Sequence, residues 1–328
     1  MVLAIGGNAL VRAGEKGTVA EQLANARQVA AQIVALAARG FRLVLTHGNG
    51  PQVGTELLLS ERAVEKVPRH PLDVCDASTQ GEIGYLLQLA LSSELRRAGM
   101  HVPAATVVTQ CVVSLEDPAM RHPTKPIGPF YSRSEAEERK RRLGWEIVED
   151  ANRGYRRIVP SPQPVEIIEL EVIRRLMELG VLVIACGGGG IPVAWMENEL
   201  RGVEAVIDKD LASALLASKL GTELFVIATD TDYVYLDYGK AGQRPLYRAG
   251  PAELEVFARE GHFPPGNMGP KIQAVLQFLR SGGSEAIITS CNKLLDAVTG
   301  SAGTHLVAGA AEARRGMTPE LETVPGTG

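Results

Sequence analysis

Cysteine is sparse in this chain. The four that occur, Cys75, Cys111, Cys186 and Cys291, lie far apart, with no CxxC or other zinc-type spacing. A reducing, cytoplasmic setting is therefore expected. Long apolar runs are absent as well: none approaches the ~20 residues that span a bilayer. The opening MVLAIGGNAL has neither a basic leader nor a cleavage site, so neither a signal peptide nor a membrane partner is expected. Positive charge is not in excess. The formal net charge is -4, which argues against a nucleic acid held by bulk charge. The short run Arg139-Lys140-Arg141-Arg142 reads as a solvated helix face.

Two nucleotide signatures are missing too. No Gly-Lys-Ser or Gly-Lys-Thr occurs, so there is no P-loop. The stretch VLVIACGGGGIPV also fails the dinucleotide pattern GxGxxG. Counting from Gly187, its third glycine falls on Pro192; counting from Gly188, it falls on Val193.

What is present is a rhythm. In 328 residues, with 45% hydrophobic and 22% charged, a helix-like segment repeatedly ends in glycine and an apolar run follows. Gly40 precedes FRLVLT, Gly99 precedes MHVPAATVVT, Gly180 precedes VLVIAC, Gly221 precedes TELFVIAT, and Gly282-Gly283 precede SEAIITS. The runs are rich in Val and Ile with little alternation, as in strands buried on both faces. This predicts an α/β fold: a mainly parallel central sheet with helices on both sides. Residues from about 117 to 164 break the rhythm, being polar, basic and rich in proline, and read as a small protruding subdomain without a buried strand pattern. TDYVYLDYGKAGQRPLYR reads as a hairpin, and residues 317–328 as a tail.

In open parallel sheets, ligands sit beyond the carboxyl ends of the strands. Four predicted strands end in Gly6-Gly7-Asn8, in Thr46-His47-Gly48-Asn49-Gly50, in Gly187 to Gly190, and in Thr229-Asp230. Glycine loops bring backbone N–H groups close to an anion, although any one of them can be simply a tight turn. Lysine is scarce beside arginine, and three lysines have unusual settings. Lys209 lies between two aspartates at a predicted helix start. Lys271 follows FPPGNMGP at another. Lys125 sits between two prolines, where a merely solvated role is equally open. A cation at a helix N-terminus opposes the helix dipole, which makes sense if a polyanion lies between. Asp208 and Asp210 can cap the helix, and Asp210 can also pair with Lys209 and Lys271. These parts suit phosphoryl transfer, which needs positioning and charge neutralisation more than covalent chemistry. His47, at a strand end, reads as structural.

The segments GGNAL, THGNGPQVG, DASTQGEIGYLLQ, PTKPIGPFY, ACGGGGIPV, VEAVIDKDLAS, FPPGNMGPK and AGTHLV occur in this order from Val2 to about Val307. Together they closely resemble the carbamate kinases, a branch of the amino acid kinase family. The resemblance implies a three-layer α/β/α sandwich, a homodimer, and reversible transfer between ATP plus carbamate and ADP plus carbamoyl phosphate, with Mg2+ carried by the nucleotide phosphates and water. It implies an amino acid kinase domain over residues 1–316, with a carbamate lobe (1–207) and a nucleotide lobe (208–316). Gly6, Gly7, Asn8, Gly48 and Asn49 would line the carbamate side. Lys209 and Lys271 would stabilise the transition state, Asp210 would organise them, and Lys125 would close over the carbamate. Asp230, Tyr235, Met268 and Gly269 would join Lys209 and Lys271 around the nucleotide. One departure is Thr231, which stands where the family's TDVDxVY pattern has an apolar residue. The rivals are a related kinase for a larger acid and a catalytically silent nucleotide sensor.

Overall fold

The computed structural model describes residues 1–12, 14–149, 154–264 and 266–309; the expected tail at 317–328 lies outside them. An eight-stranded sheet forms the centre. Its order is Arg248–Ala249, Thr304–Val307, Glu285–Ser290, Leu224–Thr229, Val2–Ile5, Val44–His47, Leu182–Ile184 and Ala104–Thr106. Neighbours are parallel except where Thr304–Val307 runs against Glu285–Ser290.

Strand periodicity sends alternate residues to opposite faces. Val2, Ala4, Val44 and Phe225 pack on one side with the helices Lys209–Leu220 and Met268–Arg280. Leu3, Ile5, Leu45 and Val226 pack on the other with Val19–Ala37 and Leu72–Arg97. All eight of these strand residues are fully buried. Helix Met268–Arg280 is amphipathic: Ile272, Val275, Phe278 and Leu279 face inward, and Phe278 meets Phe225 edge-on at 5.5 Å. That anchoring fixes the start of the helix, where Lys271 lies. Helix Val19–Ala37 starts in a capping box between Thr18 and Glu21.

Two sheets go beyond the sequence expectation. Directly after the four glycines, Ile191–Met196 continues as a strand and joins Glu199–Gly202, Gln110–Val113 and Pro164–Ile167 in a four-stranded sheet. Within the region read as having no buried strand pattern, Lys125–Tyr131, Tyr155–Val159 and Glu146–Glu149 form a separate antiparallel sheet. Its strands are mostly half-buried or exposed, so no continuous apolar run marks them. Tyr131, Ala136 and Trp145 make its own small core. The expected hairpin pairs Val234–Leu236 with Arg244–Leu246. Among the described residues, no helix is long and apolar enough to cross a membrane.

Candidate active site

The four loops singled out above emerge from four adjacent strands, Leu224–Thr229, Val2–Ile5, Val44–His47 and Leu182–Ile184, all pointing the same way. Above their carboxyl ends lies a cleft of about 780 Å³. Gly6, Gly7, Gly48, Asn49 and Gly188 line it, as do Lys125, Asp208, Lys209, Asp210, Asp230 and Lys271. The side chain of Asn8 lies outside the described residues.

The charged groups are organised by the helix that begins at Lys209. Asp208 caps it, accepting from the Asp210 N–H at 2.9 Å. Asp210 then turns inward and is 3% exposed. Its Oδ1 lies 2.6 Å from Lys209 Nζ, and its Oδ2 accepts from Lys271 Nζ at 3.0 Å. Burial pushes the Asp210 carboxyl up, but the two ammonium groups outweigh this and hold it at about 2. Asp210 thus sits between the two ammonium groups and pairs with both. Lys125 reaches across from the small sheet and donates to Asp208 Oδ2 at 2.8 Å.

Behind the cleft, helix Leu72–Arg97 supplies a buried polar layer. Asn49 Nδ2 donates to Asp76 Oδ1 and, at 2.8 Å, to Thr79 Oγ1. Gln80 Nε2 donates to the Gly187 carbonyl at 2.9 Å and ties the glycine loop to the helix. The Gly187–Gly189 segment is a single tight turn. At Gly188, φ is +70°, and a Cβ would collide with Asn49 Nδ2 and come within 2.5 Å of Asp76 Oδ1. Burial, partly offset by the Asn49 bond, raises the Asp76 carboxyl to about 7. His47 is buried against Gly187, and burial lowers its pKa to about 4, so it is neutral near pH 7.

The structure leaves some expected residues outside this cleft. Tyr235 sits in a cluster of tyrosines, with ring centroids 6.5 Å from Tyr233 and 6.0 Å from Tyr238. Met268 packs against the main core. Gly269 lines a separate cavity of about 470 Å³ beside Phe263 and Ile272. Conversely, Arg12, Arg156 and Cys291 line the cleft although sequence reasoning passed over them. Burial pushes the Cys291 thiol up to about 11, so it stays protonated near neutrality. Asp76 gave no signal of its own in the sequence, being one more polar residue in the helix stretch Asp73 to Gln80.

Residues 1–290 match the family model described as the amino acid kinase family. A carbamate kinase of Pyrococcus horikoshii is 46% identical over 308 residues, covering 93% of this chain and 98% of its own length. Carbamate kinase 1 of Enterococcus faecium is 48% identical over 297 residues, covering 90% and 94%. Among solved structures, a carbamate kinase from Giardia lamblia bound to AMP-PNP superposes with a TM-score of 0.88 at 40% identity, covering 93% of this chain and 97% of that one.

Proposed function

Because the chain belongs to the amino acid kinase family, within its carbamate kinase branch, we propose that it transfers a phosphoryl group reversibly between ATP plus carbamate and ADP plus carbamoyl phosphate. The observation that carries this reading is the Lys209–Asp210–Lys271 arrangement beneath the glycine loops. A carbamate oxygen attacks the γ-phosphorus. The bond to the bridging oxygen breaks, and its electron pair stays on ADP. Lys209 and Lys271 neutralise charge on the transferring group, while Asp210 aims them. The N–H groups of Gly6 and Gly48 are spent on the carbonyls of Ala228 and Ile5, at 3.0 Å each, which leaves the Gly7 N–H to approach the oxygens of the transferring group. Lys125 covers the carbamate from the small sheet. In this reading residues 1–207 hold carbamate and the chain from 208 holds nucleotide, with Asp230 on the nucleotide side.

No general base is required, because the attacking carbamate oxygen carries no proton. His47 is neutral and buried, and Asp210 is committed to two lysines. Among the described residues, no three His, Cys, Asp or Glu side chains converge on one point. Mg2+ carried in with the nucleotide would supply further charge neutralisation beside Lys209 and Lys271.

A cytoplasmic location and a homodimer belong to the same reading. The four free thiols suit a reducing compartment. Val74, Tyr85 and Leu89 form an exposed apolar stripe on helix Leu72–Arg97 that suits a second copy. A monomeric mass in sedimentation velocity would remove the dimer.

The direct test of the reaction is ATP formation from ADP, Mg2+ and carbamoyl phosphate, with acetyl phosphate as the control donor. ATP from carbamoyl phosphate is expected. None from a folded protein that binds ADP would favour a related kinase for another acid or the silent sensor.

A further inference from the structure

Carbamoyl phosphate and acetyl phosphate present the same phosphate and nearly the same shape. They differ in one group: an amino group that donates two hydrogen bonds, or a methyl that donates none. Most of the cleft cannot tell them apart. Its lysines are donors, which address the oxygens that both compounds share, and its carboxylates Asp208 and Asp210 are already engaged by Lys125, Lys209 and Lys271. Selectivity for the amino group requires an acceptor.

We propose that Asn49 is that specificity-determining residue, and that its side-chain oxygen, Oδ1, accepts a hydrogen bond from the substrate's amino group. The orientation of its amide is settled by its neighbours. The single hydroxyl hydrogen of Thr79 is donated to the Asp76 main-chain carbonyl at 2.7 Å. Toward Asn49, Thr79 Oγ1 can therefore only accept, and the group facing it at 2.8 Å must be the NH2. The second amide hydrogen goes to Asp76 Oδ1. Both donors are thus consumed on the helix side, and no donor among the described residues reaches Oδ1. Asn49 itself lines the cleft. The amide is also clamped from the glycine loop, where Gly188 lies against Nδ2 and Cγ with no room for a Cβ. Asn49 begins helix Gly50–Arg62, yet its side chain makes no capping bond there. The usual local use of an asparagine at that position is given up. Asn49 thus offers the substrate an acceptor, with Thr79 as the positioning residue behind it.

This specificity role rests on the carbamate reading, and one experiment separates the two. ATP formation from ADP and Mg2+ is measured with carbamoyl phosphate and with acetyl phosphate, the latter read both as donor and as competitive inhibitor. The proteins are wild type, Asn49→Ala, Thr79→Val and Thr79→Ser, with ADP binding and thermal melting as checks of folding. A site that hydrogen-bonds a substrate N–H rejects an analogue lacking it by large factors. The preference for carbamoyl phosphate over acetyl phosphate should fall on the order of 100-fold or more in Asn49→Ala. Thr79→Val should lose part of the preference, and Thr79→Ser should restore it. If both compounds weaken by the same factor in Asn49→Ala, the assignment is overturned while the carbamate reading stands. If the wild type makes no ATP from carbamoyl phosphate, the carbamate reading itself fails.

Discussion

Replacing Asp76 by asparagine should stabilise the protein increasingly as pH rises from about 4 to about 7. The carboxyl is 4% exposed; its Oδ1 accepts from Asn49, and its Oδ2 has no hydrogen-bond partner among the described residues. Burial is the main cause that lifts it from an ordinary value of 3.8 to about 7; the Asn49 bond opposes this and the charge of Asp73 adds to it. In the unfolded chain the group ionises near 3.8, whereas in the folded chain it keeps its proton until about 7. Across that window folding must take up a proton, so stability falls with rising pH and levels off above it. The full penalty is about 4 kcal/mol. Asparagine removes the ionisation and keeps the shape. Its buried NH2 adds a pH-independent cost of roughly 1–3 kcal/mol. The difference in stability between variant and wild type should therefore climb by up to about 4 kcal/mol between pH 4 and pH 7, then stay flat. His47 works the other way, because burial depresses it from 6.5 to about 4 and stability is lost as pH falls through that range. It is common to both proteins and cancels in the difference. Urea unfolding at steps from about pH 4.5 to 8.5 measures the effect. A difference that does not change with pH would refute the reasoning, since it would mean the carboxylate is compensated where it lies.

Three further outcomes are expected. Lys271→Ala should lower turnover on the order of 100-fold while largely sparing ADP affinity by calorimetry; normal turnover would remove its role. Lys125→Ala should cut turnover with carbamoyl phosphate yet shift stability by less than about 1 kcal/mol. The Lys125–Asp208 pair is partly solvated, with the lysine side chain 37% exposed, so a large drop in melting temperature would contradict a role confined to the cleft. Gly190→Ala should destabilise by about 2 kcal/mol or more, because φ is +87° and the new methyl would press into Cys111 Sγ; unchanged unfolding would show that the loop can yield.

Much of this molecule was legible from local pattern, and what escaped has a common cause. Strands buried on both faces announce themselves as Val- and Ile-rich runs after a glycine, so the central sheet could be read run by run. The small sheet holding Lys125 has one wet face and no such run. The strand after the four glycines was hidden because a glycine loop more often opens a helix. Asp76 and Thr79 looked like ordinary helix residues, since their meaning depends on Asn49, 27 and 30 residues away. The side chains of Tyr235 and Met268, expected near the nucleotide by motif, pack with tyrosines and against the core.

The sequence by itself determined the layering and the edge where chemistry gathers. Hydrophobic periodicity dictates which faces are buried, and parallel strands present all their carboxyl ends together. Only the tertiary structure decided how the remaining polar groups pair: Lys125 with Asp208 across 83 residues, and Asn49 turned inward to Thr79; the Lys271–Asp210 pair, across 61, was already foreseen from the motif. A hydrogen bond depends on positions fixed to a few tenths of an ångström, and packing sets those positions where residue order does not.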